Sequence, residues 1–322
     1  MTWKTLALGA VAATGLAVTA PAPAQSFPER EIQMIIPFGP GGATDIIFRL
    51  IAAEAEPHLG TTIVPVNMAG AGAIRGSRHV LDSAADGHTV LASHDTVALS
   101  YLAGTVDFSY DAFEAVALLT QTINMPATHA DHPVQSADEI AAFVAENPGQ
   151  VRFSMIPGST DHFFWAQFFD AAGIDMDDVR LVGYSDTGEQ VAALLAQEID
   201  FAMLNLPSGG SYFEAGTFRP LGVAHVERLD SMPDLPTLNE MGIALEHATS
   251  RGIFAPAGTP QEAVDAIAEA FGLALENEEV RARIEGEFGS VVRFLQGEDY
   301  LDFLATNEAG LTAAAENIDF EN

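Results

Sequence analysis

The amino-acid sequence predicts an α/β protein of two lobes, each a mostly parallel sheet flanked by helices, with one lobe inserted into the other. A buried strand, a glycine-rich loop and a helix follow one another from residue 32, and the same order begins again near residue 151. The chain has 322 residues, which is more than the roughly 100–200 residues of an ordinary domain. A block of this kind between two flanking blocks predicts that two strands cross between the lobes.

The first block of elements precedes residue 93. An apolar strand pattern covers 32–37, and a glycine-rich loop leads from it into a helix over 46–59 whose apolar residues recur at helical spacing. Strand, loop and helix in this order form βαβ units with parallel strands. The other predicted elements of the block are a strand at 62–66, a helix from 70 to 81 and a strand at 88–92.

The middle block repeats this order, and the end of the chain is mainly helical. Residues 25–125 and 225–322 are predicted to form lobe 1 and residues 126–224 lobe 2, with hinge strands near 124–128 and 223–226. The predicted strands are 151–155, 179–182, 199–204, 218–224 and 251–256, and the predicted helices are 136–145, 162–172, 189–197, 260–276, 278–285 and 299–316.

The charge balance excludes one class of partner. The chain has 45 acidic and 13 basic residues and a net charge of −32. Nucleic-acid binding is excluded because it needs basic patches. Lys4 is the only lysine, and an acidic surface with so little lysine indicates adaptation to high salt, with an arginine-rich codon preference as the alternative. The absence of cysteine excludes disulfides, thiolate metal sites and a cysteine nucleophile.

The first 24 residues resemble a secretory signal peptide. Lys4 precedes an apolar run over 6–20, and the small residues Ala22 and Ala24 predict cleavage near Ala24-Gln25. The alternative, a membrane anchor, is disfavoured because the run is shorter than the ~20 residues that span a bilayer. Export of a chain without cysteine indicates a bacterial periplasm.

Three predicted helices begin directly after loops rich in glycine, serine and threonine, at 41–44, 70–72 and 158–160. Glycine lets a ligand approach the backbone, and the first N–H groups of a helix have no partner within it. Such helix ends bind anions, because they are also the positive end of the helix dipole. The alternative is that glycine-rich turns only connect strands to helices. The loops supply the candidate residues Pro40, Gly41, Gly42, Ala43, Thr44, Gly158, Ser159 and Thr160.

Enzyme motifs find little support in the chain. No G-x-S-x-G nucleophile motif is present, and residues 70–76 miss the spacing of a dinucleotide-binding loop by one residue. His129 and His132 have the spacing of metal ligands, although a surface loop is the simpler interpretation. No metal and no cofactor is expected.

Two further residues are candidates for ligand contact. His162 follows Asp161 at a helix start, where capping and packing compete with ligand binding. Arg251 precedes an apolar strand and needs an acidic partner, either a ligand carboxylate or an Asp or Glu of the chain. The neighbouring aromatic stripe is predicted to be core rather than a ligand box: Phe163, Phe164, Trp165, Phe168 and Phe169.

Taken together, several segments resemble the periplasmic substrate-binding proteins of tripartite tricarboxylate transporters, the Bug or TctC-like family. The resemblance covers nearly the whole chain after the leader, and the order and spacing of the segments make it specific. The segments are 35–45 (IIPFGPGGATD, similar to VVPF.PGG.TD), 67–72 (NMAGAG, N.PGAGG), 85–90 (ADGHTV, PDGYTL), 184–189 (YSDTGE, PYSGGGE), 233–238 (PDLPTL, PDVPTL) and 251–260 (RGIFAPAGTP, RG..APKGTP).

This resemblance implies a venus-flytrap fold, the two-lobed periplasmic-binding-protein architecture, with a carboxylate held in the cleft. By position it assigns ligand contact to the first glycine-rich loop and to the loop at 158–160. Ser93, Thr96, Tyr184 and Asn205 occupy positions that line the cleft in the family. The chain departs from the family pattern at Ser185-Asp186, at Leu204 and at Thr249-Ser250, positions that contact the distal part of the ligand.

The expected function is that of a non-enzymatic, exported, monomeric receptor. It captures a di- or tricarboxylate and delivers it to the membrane subunits of a tripartite tricarboxylate transporter. Two alternatives remain open. One is a sensor subunit that presents the ligand to a receptor kinase, and the other is a secreted hydrolase built on His162 and Asp161.

Overall fold

The computed structural model describes residue 1 and residues 27–315, and it confirms the α/β class predicted from the sequence. Two separate sets of strands are each flanked by helices. We call the part built on the six-stranded sheet the first lobe, and the part built on the other strands the second lobe. The predicted signal peptide and its cleavage position lie outside the described residues.

The elements follow one another in alternating order along most of the chain. The strands are β1 Ile32–Ile36, β2 Ile63–Asn67, β3 Thr89–His94, β4 Phe113–Ile123, β5 Met125–His129, β6 Val151–Met155, β7 Val179–Gly183, β8 Ala202–Leu204, β9 Phe218–Pro220, β10 Ala248–Pro256 and β11 Ser290–Gln296. The α-helices are α1 Ala43–Leu59, α2 Ile74–Leu81, α3 Thr96–Leu102, α4 Ile140–Glu146, α5 Thr160–Ala172, α6 Thr187–Leu195, α7 Leu206–Glu214, α8 Gln261–Glu276, α9 Glu278–Ala282 and α10 Gly297–Ala315. Short 3₁₀ helices lie at Tyr110–Ala112, Ala137–Glu139, Met176–Asp178 and Asn239–Met241, and a π-helical turn lies at Arg283–Glu287.

The sheet of the first lobe has the strand order β11-β4-β10-β3-β1-β2. Strands β2, β1 and β3 run parallel, as their glycine-rich connections predict, but β10 is antiparallel to β3 and β4, and β11 is antiparallel to β4. Strand β4 therefore has the same direction as β1, β2 and β3, so four of the six strands share one direction, as the prediction of a mostly parallel sheet requires. Strand β10 enters from the second lobe rather than through a βαβ crossover, so no helix imposes a parallel direction.

The sheet of the first lobe is buried on both faces. Met34 and Ile36 of β1 belong to the core beneath α1 and α8, whereas Ile35 between them belongs to the core beneath α2, α3 and α10. Alternate side chains of one strand point to opposite faces, so a continuous apolar run is what a strand covered on both sides requires.

The second lobe combines a parallel pair with an antiparallel group. Strands β6 and β7 are parallel, and β5 pairs antiparallel with both β8 and β9. A parallel bridge from Phe153 to Phe201 joins the two groups, and the N–H of Ser154 donates to the carbonyl of Phe201 at 3.0 Å. Strands β6, β7, β8 and β9 therefore share one direction and β5 runs against them, which agrees with the predicted mostly parallel arrangement.

The core of the second lobe is aromatic, as the sequence predicts. The aromatic residues of α5 are at most 1% exposed and pack against Phe153 and Phe201 of the sheet. The indole N–H of Trp165 donates to the carbonyl of Ser154 at 2.9 Å, which satisfies its one polar group in the core. The core interpretation of this stripe is confirmed.

The two lobes are connected where β4 gives way to β5 and where the chain returns to β10. At the first crossing, Asn124 accepts the N–H of Ala224 at 3.0 Å, and its own N–H donates to His247 at 3.3 Å. Leu238 and Ile243, on the returning segment, pack in the core of the second lobe. The predicted lobe boundaries and hinge positions stay predictions.

Several elements have no counterpart in the sequence prediction. These are α3, β4, α7 and β11. Among the residues described, no helix combines the length and the apolar character needed to cross a membrane.

Candidate ligand-binding cleft

A cavity of about 50 Å³ lies between the two lobes. The carboxyl ends of strands and the first turns of four helices meet there. The lining residues of the first lobe are Phe38, Gly42, Ala43, Thr44, His94, Thr249 and Arg251. Those of the second lobe are Ile156, Ser159, Thr160, Asp161, Thr187, Gln190, Met203, Asn205 and Ser208.

Among the described residues, Arg251 is the only cationic one that lines this cavity. It is 2% exposed, and its Nε donates to Thr44 Oγ1 at 3.1 Å while its Nη1 donates to Thr122 Oγ1 at 2.5 Å. Within residues 27–315 its guanidinium forms no ion pair, and Nη2 forms no hydrogen bond. Burial lowers the pKa of Arg251 to about 9, although the charge of Asp95 opposes this shift. A buried cation held by neutral oxygens is poised to pair with an anion.

His94 lies directly opposite Arg251, because the two residues are register partners of β3 and β10. Its ring stacks on Phe38 with centroids 4.5 Å apart. Burial, and then the charge of Arg251, lowers the pKa of His94 well below its usual range, so the ring is neutral. The N–H of Thr96 donates to Nδ1 at 3.3 Å, which assigns the proton to Nε2 and makes that nitrogen a donor.

Four helices begin at the cavity wall: α1, α5, α6 and α7. Gly42 is the N-cap residue of α1, and Ser159 is the N-cap residue of α5. Neither helix has a hydrogen bond from its first turn to an N-cap side chain. The first N–H groups of these helices, those of Ala43 and Thr44 in α1 and of Thr160 in α5, have no backbone acceptor within the helix, and the helix dipoles place partial positive charge at the same point. This confirms that helices begin at two of the glycine-rich loops and that both loops face the same cavity.

Asp161 and Gln190 form a buried pair on the wall of the second lobe. Asp161 Oδ2 accepts Gln190 Nε2 at 2.5 Å and the N–H of Ile156 at 2.9 Å, and Oδ1 accepts the N–H of His162 at 3.0 Å. Asp161 is 4% exposed and Gln190 is 1% exposed. Burial raises the pKa of Asp161 to about 6, even though its three donors act in the opposite direction.

Asn205 connects the cavity to the crossing between the lobes. Its side-chain oxygen accepts from Ser208 in a capping box at the start of α7, and its Nδ2 donates to Asn124 Oδ1 at 3.2 Å. Asn124 is fully buried, and its own Nδ2 donates to Thr249 Oγ1 at 2.9 Å. One amide at the crossing therefore joins a cleft residue of each lobe.

The lobes are closed against each other. Thr96 Oγ1 and Ser159 Oγ are 2.9 Å apart, and Thr160 Oγ1 is 3.1 Å from His94 Nδ1. The glycine-rich loop at 70–72 contributes to this contact rather than to the cavity. A Cβ on Gly72, which has φ of +61°, would lie 2.7 Å from the carbonyl oxygen of Pro157.

The structure places the candidate residues of the sequence in three groups. Seven of them line the cavity, and together they come from both lobes: Gly42, Ala43, Thr44, Ser159, Thr160, Asn205 and Arg251. Thr96 and Gly158 lie at the contact between the lobes, since Ser100 Oγ approaches the carbonyl of Gly158 at 3.5 Å. The third group neither lines the cavity nor belongs to the contact described above, and its members are Pro40, Gly41, Ser93, His162 and Tyr184.

Each member of the last group has a visible structural setting. Pro40 and Gly41 are exposed at the rim, and Ser93 is fully buried within β3 rather than after it. The ring Nδ1 of His162 accepts the N–H of Gly158 at 3.3 Å, so the capping interpretation fits its geometry. Tyr184 is half-buried and packs against the apolar cluster around β8. Whether any candidate contacts a ligand stays a prediction.

Several residues of the cavity are not predicted from the sequence. His94 ends β3, and the rule that ligands bind at the carboxyl ends of strands could have identified it between Ser93 and Thr96. Gln190 lies one turn into α6, where a buried glutamine has no signature in the sequence. Thr249 lies on β10, two residues before the predicted start of that strand. Of the positions where this sequence differs from the family pattern, Thr249 is the one that lines the cavity.

Two lobes that close on a cavity lined by buried polar groups and helix N-termini define a two-lobed solute-binding protein. Residues 47–308 match the model of a family described as the tripartite tricarboxylate transporter family receptor. The chain belongs to this family, whose members are solute-binding receptors.

Individual relatives agree with this assignment. Protein BugT of Bordetella pertussis is 30% identical over 256 residues, which cover 77% of this chain and 77% of that protein. A solved structure of a periplasmic transporter has 25% identity and a TM-score of 0.85 over 90% of this chain and 98% of its own. MatC from Rhodopseudomonas palustris, solved with bound malate, has 26% identity and a TM-score of 0.81 over 90% of this chain and 100% of its own.

Proposed function

We propose that this chain is a periplasmic receptor that captures a small di- or tricarboxylate in the cleft and delivers it to the membrane subunits of a tripartite tricarboxylate transporter. The observation that carries the proposal is Arg251, a buried guanidinium that lines the cavity without an ion pair among residues 27–315. A ligand carboxylate supplies the missing counterion. The malate bound to MatC, a relative in sequence and fold, supports the same ligand class.

Local charge explains how an acidic protein binds an anion. The net charge of −32 repels carboxylates at long range, but salt screens this repulsion over about 8–10 Å. Inside the cleft the ligand meets Arg251, the Nε2–H of His94 and the first turns of four helices instead. Hydrogen bonds to an ionised carboxylate contribute about 1.5–3 kcal/mol each, so a few aligned donors give micromolar affinity.

Closure of the lobes is the signal that the transporter recognises in this proposal. The receptor acts as a monomer that opens at the crossings near Asn124 and His247 and closes when a ligand bridges the two walls. Ligand binding shifts the equilibrium towards the closed state by the difference in affinity between the two states. The leader with its small residues at Ala22 and Ala24 supports export to the periplasm.

A hydrolase that uses the same cleft has no support in the geometry. The carboxylate of Asp161 accepts the backbone N–H of His162, and the ring Nδ1 of His162 accepts the N–H of Gly158. An Asp–His pair that activates a nucleophile instead needs the carboxylate to accept from the ring.

The proposal is tested by a thermal-shift screen of the protein in molar salt, after bound ligand has been removed by unfolding and refolding. The probes are carboxylates of one to three acid groups, amino acids and aromatic acids. A ligand at a hundredfold excess over Kd stabilises the folded state by about 2.7 kcal/mol, which is readily measured. A shift with a di- or tricarboxylate supports the proposal, and folded protein that responds to no carboxylate overturns it.

A further inference from the structure

The two charged residues that line the cavity have opposite signs and lie on opposite walls. Arg251 belongs to the first lobe and Asp161 to the second, and each is more than nine-tenths buried. Neither forms an ion pair with another residue of the described chain. The side chains of the cleft are therefore polarised, with a cation on one wall and a carboxylate on the other.

The carboxylate of Asp161 also determines how Gln190 is oriented. An ionised carboxylate only accepts hydrogen bonds, so the amide of Gln190 must turn its NH₂ group towards Asp161, as the 2.5 Å contact shows. Gln190 Oε1 then lies on the other side of the amide, and the hydrogen bond of this side chain within residues 27–315 is the one from Nε2. Because Gln190 is 1% exposed and lines the cavity, Oε1 is an acceptor offered to the cavity interior.

An acceptor in this position discriminates between ligands. A buried carbonyl oxygen without a donor costs free energy, and a second ligand carboxylate pressed against it adds repulsion. A ligand with a hydroxyl or ammonium group satisfies the oxygen with a hydrogen bond. Sites built to hydrogen-bond such a group reject analogues that lack it much more strongly than apolar pockets reject a missing methylene.

We propose that Gln190, oriented by Asp161, is a specificity-determining residue that selects carboxylates bearing a hydrogen-bond donor, a hydroxyl or an ammonium group, over the corresponding plain acids. This inference rests on the proposed function, because it requires that a ligand carboxylate occupies the site at Arg251. A hydroxy acid and an amino acid both carry a hydrogen-bond donor near the carboxylate, and the experiment below tests the hydroxyl and the ammonium group separately.

The test is isothermal titration of matched acids that differ only in the donor. The probes are propionate, lactate and alanine, then succinate, malate and aspartate, then glutarate, 2-hydroxyglutarate and glutamate. In the series that fits the cavity, we expect the hydroxyl or the amino acid to bind about tenfold more tightly than the plain acid. A plain acid that binds equally well or better overturns this inference and leaves the carboxylate receptor intact. Absence of binding by all nine overturns this inference, and the thermal-shift screen, which also contains tricarboxylates, then decides whether the carboxylate receptor stands.

Variants locate the effect at the amide. Gln190→Met keeps the length of the side chain but removes the acceptor. The ratio of the affinity for the hydroxy or amino acid to the affinity for the plain acid should therefore fall to about one, while the affinity for the plain acid is retained. Asp161→Asn frees the orientation of Gln190 and should reduce the same ratio. Gln261→Met is the matched control, because Gln261 Nε2 donates to Asp265 Oδ1 at 2.8 Å in an exposed pair on α8. A ratio that survives in a folded Gln190→Met or Asp161→Asn protein, as judged by its melting temperature, overturns the assignment.

Discussion

On the first-lobe wall of the cleft the decisive side chains lie on strands, whereas on the second-lobe wall they lie in the first turns of helices. Arg251 and His94 are neighbours across β10 and β3, inside the central ladder of a six-stranded sheet. Asp161 and Gln190 begin α5 and α6. A ladder bonded on both sides holds a buried cation in a fixed position, whereas helix starts supply backbone donors around side-chain acceptors.

The two walls also differ in how their charges are neutralised. Asp161 accepts three hydrogen bonds from its own lobe, so its charge is stabilised before any ligand enters. Arg251 is bonded only to hydroxyl and carbonyl oxygens. The first lobe therefore depends more on the ligand for its electrostatic balance, and it should supply most of the affinity, while the second lobe supplies selectivity.

Arg251→Met gives the largest expected effect and tests this division directly. The variant loses charge-assisted hydrogen bonds to the ligand worth about 1.5–3 kcal/mol each, so carboxylate affinity should fall by about a hundredfold or more. The melting temperature of the ligand-free variant should be unchanged or higher, because the variant no longer buries an unpaired cation. Titration calorimetry and thermal unfolding measure the two quantities.

Arg293→Met is the control for this substitution. Arg293 is exposed on β11, bonds Gln121 Oε1 at 2.9 Å and lies over the ring of Phe303. Its removal should leave carboxylate affinity unchanged. Full affinity in the Arg251→Met protein would show that the helix N-termini alone bind the carboxylate, and the comparison between the walls would fail.

The pH dependence of stability provides a second comparison, since each lobe buries one carboxylate near the cleft. Asp95 follows β3 and accepts the N–H of Ser250 at 2.7 Å and Asn307 Nδ2 at 2.8 Å. Burial raises its pKa to about 6, as it does for Asp161, whereas Asp95 also has the charge of Arg251 nearby to oppose the shift. Both carboxyls therefore bind protons more tightly in the folded state than in the unfolded chain.

The sign of the effect follows from this difference. Where the folded state binds more protons, the free energy of unfolding falls as pH rises. Relative to Asp95→Asn, the wild-type protein should lose up to about 3 kcal/mol of stability between pH 4 and pH 7, at 1.36 kcal/mol per pKa unit. His247, whose pKa burial lowers to about 4, acts in the opposite direction but is common to both proteins and cancels. Urea unfolding across this range checks the prediction, and a constant difference between the two proteins would contradict it.

The sequence predicted the two walls unequally, for physical reasons. Helix starts at Gly42 and Ser159 could be predicted, because a loop that turns tightly from strand to helix has a local composition. Arg251 was singled out because a charge in an apolar stretch needs a partner. Gln190 and Thr249 could not be identified, because their roles depend on partners that are distant in the sequence. Gln190 bonds Asp161, which is 29 positions away, and Thr249 bonds Asn124, which is 125 positions away.

The same contrast explains which parts of the fold the sequence predicts. Strands β1 to β3 obey the local rule that βαβ units are parallel, and they are predicted correctly. Strands β10 and β11 run in the opposite direction, because β10 enters the sheet as the chain returns from the second lobe, and no local pattern encodes this reversal.

The smallest expected effect concerns the contacts that hold the walls together. Thr160→Val keeps the shape of the side chain but removes the 3.1 Å contact between Oγ1 and His94 Nδ1 across the cleft. One neutral hydrogen bond contributes about 0.5–1.5 kcal/mol, so the ratio of closed to open molecules should fall about fivefold and the apparent affinity by no more than the same factor. Small-angle scattering should show a larger radius of gyration for the ligand-free variant and the same radius as wild type at saturating ligand.

Thr312→Val is the matched control for that measurement, because Thr312 Oγ1 donates to the carbonyl of Glu308 at 2.8 Å on the exposed face of α10. It removes a hydroxyl of the same kind without touching the cleft, and neither affinity nor radius should change. If Thr160→Val leaves both quantities unchanged as well, closure does not depend on side-chain contacts between the walls. The ligand bridging Arg251 and the second-lobe helices would then be the main source of closure, and the two walls would be coupled only through what they bind.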